Sequence, residues 1–122
     1  MNKESSVTVW NEAEVGRSSR ILPRTIDGTE AEARVVPGIV ENTFFLIVHG
    51  KKPFLNMAVR LVPLAYVVQP EFWGIEVLGN VSGIGLPAIG TYSEHLPLDG
   101  IRGKRGIEVI WSGGNSVQID VP

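Results

Sequence analysis

Apolar and polar residues alternate with a period of two along much of this chain. In 71–78, every second side chain is apolar: Trp73, Ile75 and Val77. Successive side chains of a β-strand point to opposite faces, so this pattern predicts a strand with one buried face. Glycine and proline (14 and 8 residues) divide the chain into short runs of this kind. We therefore predict an all-β fold, a single-domain antiparallel β-sandwich or partly open barrel of about 7–8 strands.

Runs with a strand-like composition recur along the rest of the chain. The other predicted strands are 7–10, 21–26, 29–36, 43–49, 54–68, 91–96, 107–111 and 117–121, and residues 1–6 are expected to be frayed. The 43–49 run is apolar on both faces, which predicts a central strand that is covered on both sides. Pro63 interrupts the long 54–68 run and predicts a bend or a division there.

The dipeptide Asp27-Gly28 is the strongest turn signal in the chain. Both central residues of a type I′ turn need positive φ, so this dipeptide predicts a hairpin with 29–36 as its return strand. A short helix is the alternative for 29–36, because Thr29 and Glu32 have the spacing of a capping box. The segment is short and alternates in polarity, and we favour the strand.

Chain length and hydropathy bear on domain number and assembly. A chain of 122 residues has the usual size of one domain, and we expect 1–122 to form a single β domain. The mean hydropathy of +0.13 is high for a small domain, whose surface is large for its volume. Part of the apolar surface is therefore expected to face outward, and the most economical way to cover it is a homo-oligomer.

Charge and cysteine content exclude several classes of function. The net charge is −2 at pH 7, and the basic cluster Arg102, Lys104 and Arg105 is short, so no nucleic-acid binding is expected. The chain has no cysteine, which excludes disulfides, thiolate metal sites and thiol nucleophiles. No apolar run approaches the ~18 residues of a membrane helix, and the start lacks the apolar segment of a signal peptide. We expect a cytoplasmic protein that needs neither a membrane nor a cofactor.

The glycine-rich segment 83–88, Gly-Ile-Gly-Leu-Pro-Ala, matches the G-x-G-x-x-A fingerprint of dinucleotide-binding folds. That fingerprint works by presenting a helix N-terminus to pyrophosphate, and the residues after 88 have no helical pattern. We therefore interpret 83–88 as a loop. Loops at the end of a sandwich carry function more often than its sheets. This loop, with Tyr92, Glu94 and His95 beyond it, is the region we expect to face a ligand.

The two histidines, His49 and His95, are the candidates for acid–base chemistry. Ser93 and His95 lie two residues apart on a predicted strand and therefore share a face, with Glu94 on the other. This arrangement is typical of a polar edge strand, because adjacency in sequence does not supply the geometry of a catalytic triad. No histidine and acidic residue have the spacing of a metal-ligand motif, so no metal site is predicted.

A five-residue pattern occurs twice, at 74–78 and at 106–110, with a glutamate at its centre each time. If the two strands are neighbours, Glu76 and Glu108 are close enough for one carboxyl to have a raised pKa and to act in acid–base catalysis. The alternative is two solvated charges, which we favour because like charges facing each other destabilise a strand pair. Two copies this short do not indicate a repeat fold.

Two segments resemble small bacterial β proteins that are carried on mobile integron gene cassettes. They are 69–77 (Gln-Pro-Glu-Phe-Trp-Gly-Ile-Glu-Val) and 96–100 (Leu-Pro-Leu-Asp-Gly). The matching segments contain no catalytic signature. The resemblance implies a small β fold and assigns neither an activity nor a role to any residue.

The leading hypothesis is a ligand-binding or protein-interaction β module rather than an enzyme. Its candidate binding residues are Tyr92, Glu94, His95, His49 and Glu76. One alternative is a small hydrolase or isomerase, which requires a pocket where a histidine lies within about 3.2 Å of a glutamate. The other is a structural subunit of a homo-oligomer, which requires a large apolar contact between subunits.

Overall fold

The structure is a computed structural model that describes residues 24–122. All regular secondary structure in this range is β-strand, which confirms the all-β prediction. The strands are β1 (Arg24–Thr25), β2 (Glu32–Pro37), β3 (Phe44–Lys52), β4 (Ala58–Pro63), β5 (Phe72–Asn80), β6 (Gly90–Pro97), β7 (Gly106–Ile110) and β8 (Ser116–Asp120). The predicted frayed start at 1–6, the predicted strand at 7–10 and the first half of 21–26 lie outside the described residues.

The strands form two sheets. β2, β3 and β6 form a three-stranded sheet in that order, here called the small sheet. The other five strands form the large sheet, with the order β1, β5, β7, β8 along one path. β4 lies outside this path. β1 and β4 both pair with Leu78 and Gly79 of β5, so they lie on opposite edges of that strand. The two sheets give the predicted sandwich.

Alternate positions of the two sheets meet in one core. The side chains with no exposed surface are Leu46 and Val48 from β3, Ile75 and Val77 from β5, and Ile107 and Val109 from β7. Full burial of an aliphatic side chain of this kind contributes about 1.5–3 kcal/mol. The period-two pattern thus produces the face-to-face packing, because each of these strands turns its apolar face toward the other sheet.

β3 is the central strand of the small sheet, but only one of its faces is covered by the core. Leu46 is fully buried, whereas Phe45 and Ile47 on the outer face are half-buried. The prediction that this strand is covered on both faces was wrong. Phe45 lies in register between Val36 and Pro97 of the neighbouring strands, so side chains of the same sheet shield it in part.

β5 and β7, which carry the repeated five-residue pattern, are neighbours but run parallel. The prediction of antiparallel pairing was wrong for this pair, because 81–105 crosses to the small sheet as β6 before returning. The other strand pairs are antiparallel. The register sets Glu108 opposite Gly74 and Glu76 opposite Ile110. The two glutamates share a face but are offset by two residues, which avoids facing like charges.

The hairpin predicted at Asp27-Gly28 was wrong, because β1 belongs to the large sheet and β2 to the small one. Asp27 Oδ1 accepts hydrogen bonds from the backbone N–H and the hydroxyl of Thr29, at 3.0 and 2.8 Å. Ala31 N donates to Gly28 O at 3.0 Å, and Glu30 between them has a φ of 63°. The aspartate side chain thus builds an Asx turn instead of a type I′ turn. This turn carries the chain from one sheet to the other.

Two other local predictions are confirmed. The 29–36 segment contains no helix and all of strand β2 except its last residue, Pro37. The 54–68 run is divided: a turn closed by Met57 N and Phe54 O (3.1 Å) precedes β4, and β4 ends at Pro63. Proline ends the strand because it has no N–H to donate to the neighbouring strand.

Candidate functional site

A cleft of about 730 Å³ opens at the end of the sandwich where β3 and β5 terminate. Of the residues that the structure describes, three segments surround it: 24–30, 51–57 and 79–89. The first joins the two sheets, the second begins with the last two residues of β3, and the third is the glycine-rich loop with the end of β5. The cleft therefore exists because both sheets end here while the connections between them continue past the core.

The inner part of the cleft is apolar. Ile26 and Val81 are 6% and 4% exposed, and the half-buried Met57 lies beside them. Gly79 makes this floor possible: a Cβ on Gly79 would lie 2.5 Å from Ile26 Cγ2 and 2.6 Å from Met57 Sδ. Phe54 forms a wall of the same cleft. An apolar ligand would displace water from this surface favourably.

The glycine-rich loop forms another wall and is held by side-chain hydrogen bonds. Asn56 Nδ2 donates to Ile84 O at 3.0 Å, and Leu86 N donates to Asn56 Oδ1 at 2.9 Å. Leu55 N also donates to Leu86 O at 3.1 Å. We call these three bonds the Asn56 clamp. They fix the loop against the turn before β4, and residues 81–89 contain no helix.

The rim of the cleft carries charges of both signs, and most are already engaged within the protein. Lys51 Nζ lies 2.8 Å from Glu30 Oε1, and this contact raises the pKa of Lys51. The backbone N–H of Thr29, followed by its hydroxyl, holds the pKa of Asp27 below its ordinary value of 3.8. Asp27 and Glu30 are therefore each engaged through one carboxylate oxygen in contacts within the protein.

Lys52 is the rim residue with the most restricted position. Its Nζ donates to Met57 O at 2.7 Å, and the side chain is half-buried. Its stem passes over Gly90, where a Cβ would lie 2.8 Å from Lys52 Cε. The ion pairs among the described residues do not include Lys52. The ammonium group is thus held at the cleft by a carbonyl oxygen and not by a carboxylate.

His49 lies on the outer face of the small sheet, away from the cleft. Its Nε2 is 3.0 Å from Glu32 Oε1, and the strand register sets Ser93 opposite it on β6. Glu32, His49 and Ser93 thus form one row across the three strands. The side chains of His49 and Glu32 are 46% and 77% exposed, so this row faces solvent.

Glu94 and His95 lie on opposite faces of β6, as the alternation predicts. His95 is exposed on the outer face, with its ring 6.4 Å from that of Phe45. Glu94 is half-buried on the face toward the core, beside Tyr92. Glu76 is half-buried on the outer face of the large sheet, in register with Val62. The predicted site residues are therefore spread over three surfaces, and none lines the cleft.

Tyr92 is a core residue, 6% exposed. Trp111 Nε1 donates to its hydroxyl oxygen at 3.3 Å. Burial raises the pKa of Tyr92 above its ordinary value of 10.0, and the bond from Trp111 acts in the opposite direction with less effect. The ring is thus enclosed by the protein and does not present a face to the cleft.

The raised pKa of Tyr92 predicts a loss of stability at alkaline pH. Below pH 10 the phenol is protonated in both states, so its full contribution to the free energy of unfolding is present. Above pH 10 the unfolded chain releases the proton first, and stability falls until the folded pKa is passed. Urea denaturation of the wild type and Tyr92→Phe on both sides of pH 10 measures this difference. An alkaline loss of equal size in both proteins would contradict it.

The cleft residues escaped the sequence analysis because they look like an ordinary polar turn. Lys51 and Lys52 are the last two residues of β3, and Phe54 follows shortly after them. Two cations and an aromatic ring at the end of a central strand are a usable signal, since sites gather where strands end and loops begin. No local sequence pattern indicates that 24–30 and 51–57 line the same cleft.

Several large apolar side chains of the described residues are exposed in three groups. They are Ile39 and Val40 after β2, Tyr66, Val67 and Val68 after β4, and Leu55, Ile84, Leu86 and Ile89 around the cleft. Of the third group, Ile89 lines the cleft, and the other three lie in the segments that surround it. The predicted homo-oligomer stays a prediction.

Comparison with known proteins gives no indication of function. No family model, curated protein or solved structure matches this chain. The resemblance to integron-cassette β proteins therefore stays a prediction. Within 24–122 there is no helix long and apolar enough to span a membrane. The same residues contain no group of three or more histidine, aspartate or glutamate side chains that could hold a metal ion.

Proposed function

We propose that this protein is a small-molecule-binding domain whose ligand places its apolar part in the cleft. The observation that carries this proposal is the cleft of about 730 Å³ with its apolar floor and wall. Sites for small ligands typically enclose about 300–1,000 Å³ and combine apolar lining with a few polar groups. The Asn56 clamp supports the proposal, because a wall fixed in advance reduces the entropy lost on binding.

Catalysis by the His49–Glu32 pair is supported less well. The separation of 3.0 Å satisfies the distance criterion for a histidine oriented by a carboxylate. However, both side chains are largely exposed, and neither lines the cleft. Electrostatic stabilisation of a transition state is strongest where water is excluded. Binding in the cleft is therefore the better-supported function, and the His49–Glu32 pair is an exposed contact of the sheet surface.

The proposal predicts that the wall residue Phe54 contributes to binding. In Phe54→Ala, the affinity for N-phenyl-1-naphthylamine, a neutral fluorescent probe, is expected to fall about tenfold, because the probe loses apolar contact area. The measurement is a fluorescence titration of purified protein at neutral pH. Phe45→Ala is the matched control, since Phe45 is also half-buried but lies on the outer face of the small sheet.

The outcomes of this titration separate the cleft from other apolar surfaces. Equal loss of affinity in both variants would locate the probe elsewhere and contradict the proposal. So would a wild-type protein that does not bind the probe at all. Urea denaturation of each variant establishes that it is folded under the conditions of the titration.

A further inference from the structure

The charge distribution in the cleft identifies the kind of ligand it takes. We propose that the ligand is an amphiphile with a single carboxylate, bound with its apolar part on the floor and its carboxylate at Lys52. This inference rests on the proposed function, since it names the ligand class of the same cleft. It depends on three features: the net charge of the lining, the position of Lys52, and the carbonyl oxygen of Met57 that already accepts a hydrogen bond from Lys52.

The described residues of the lining have an excess of one positive charge. Its cations are Arg24, Lys51 and Lys52, and its anions are Asp27 and Glu30. Lys51 and Glu30 form an ion pair at 2.8 Å, and Asp27 is engaged by Thr29. The pair and the turn leave the cationic side chains Arg24 and Lys52 to meet a ligand. A single anionic group neutralises the excess, whereas a ligand cation would add to it.

Lys52 is better placed than Arg24 to receive the anion. Arg24 is exposed, whereas Lys52 is half-buried with its stem packed over Gly90. The bond to Met57 O uses one of the three ammonium protons, which leaves two for a ligand. Met57 also contributes its side chain to the floor. A carboxylate at Lys52 therefore lies directly beside the apolar surface.

The environment makes this contact stronger than one on an open surface. A charged group that is partly removed from water loses hydration, and an ion of opposite charge compensates for that loss. The carbonyl of Met57 supplies only a partial negative charge to Lys52. A carboxylate would add a charge-assisted hydrogen bond to the ammonium. Its alkyl or aryl part would at the same time cover the floor around Ile26 and Val81.

The test compares three probes of equal chain length: octanoate, 1-octanol and octylamine. Isothermal titration calorimetry at neutral pH and low salt is expected to show octanoate binding about tenfold more tightly than 1-octanol, the usual gain from one hydrogen bond to a charged group. Octylamine is expected to bind most weakly. Equal affinities for octanoate and 1-octanol in the wild type would overturn the inference without any variant.

Variants then assign the preference to one residue. Lys52→Met keeps the apolar stem and is expected to remove the preference for octanoate while leaving the affinity for 1-octanol within about twofold. Lys51→Met is the control, because it removes a neighbouring cation that Glu30 already neutralises. A preference that survives in Lys52→Met, or is lost in Lys51→Met, counts against the assignment. Lys52→Gln repeats the test if Lys52→Met does not fold.

The results separate this inference from the proposed function. If N-phenyl-1-naphthylamine binds in the cleft but octanoate shows no advantage, the site is a ligand site and the carboxylate assignment is wrong. If neither that probe nor any of the three alkyl compounds binds, both proposals fail together.

Discussion

Replacing Gly106 with alanine is expected to lower the free energy of unfolding by about 3 kcal/mol, the upper range for overpacking in a closely packed region. A Cβ on Gly106 would overlap the carbonyl oxygen of Ile119 and lie 2.9 Å from Asp120 Cα. Both neighbours are backbone atoms of β8, so no side chain can move aside to relieve the contact. β7 and β8 would have to separate where Gly106 pairs with Asp120.

Urea denaturation at neutral pH measures this effect, and Gly100→Ala is its control. Gly100 has a φ of 78° and open space around its Cβ position, so its substitution carries only the conformational cost of about 1–2 kcal/mol. If the two variants lose the same stability, the close approach of β7 and β8 is not the cause. The difference between the two variants thus measures the effect of the close approach of β8 to β7.

Trp111→Ala is expected to cost about 3–5 kcal/mol, the usual range for removing a large aromatic side chain from a core. Trp111 is 6% exposed and donates its indole N–H to Tyr92 across the two sheets. Its ring also packs closely on Gly28, where a Cβ would lie 2.6 Å from Trp111 Cγ. The substitution therefore removes core volume, an inter-sheet hydrogen bond and the support of the Asx turn beside the cleft.

A second tryptophan provides the matched comparison for Trp111. Trp73 is half-buried, and its indole N–H donates to Leu64 O at 2.9 Å. Trp73→Ala is expected to cost less than Trp111→Ala in the same urea experiment, because less buried area and less core volume are lost. The reverse order would contradict the larger contribution of Trp111 to the core. Trp111→Ala should also weaken N-phenyl-1-naphthylamine binding, since 24–30 loses its support.

Local polarity was sufficient to predict most strands of the described residues. β5 and β7 follow from alternation of side chains such as Ile75 and Glu76, and β2 from the alternation in 29–36. The division at Pro63 follows from the missing N–H of proline. These predictions succeeded because the burial of one strand face is a property of consecutive residues, independent of which strand lies alongside.

Pairing between strands was not predictable in the same way. Asp27-Gly28 has the composition of a hairpin turn, yet the side chain of Asp27 bonds to Thr29 and directs the chain to the other sheet. The parallel direction of β7 depends on a crossover of 81–105 that leaves no local signature. Similarly, the 43–49 run is apolar on both faces although only one of them meets the core.

The candidate site shows the same limit. The glycine-rich segment 83–88 was predicted to face a ligand, and its Gly85, with the neighbouring Val81 and Ile89, lines the cleft. The side chains chosen with it do not: Tyr92 is enclosed in the core, and His95 points to the outer face. The predicted residues are those with chemical reactivity, whereas the cleft is formed by an apolar floor and wall with charged side chains at its rim.

The order of amino acids by itself determined the class of fold, since the period of two and the breaks at glycine and proline favour strands packed face to face. It also placed Lys51, Lys52 and Phe54 shortly after the apolar run of 43–49. Only the tertiary structure decided that 24–30, 51–57 and 79–89 surround one cleft. The physical reason is range: strand formation depends on neighbours along the chain, whereas a cleft depends on where separate segments end in space.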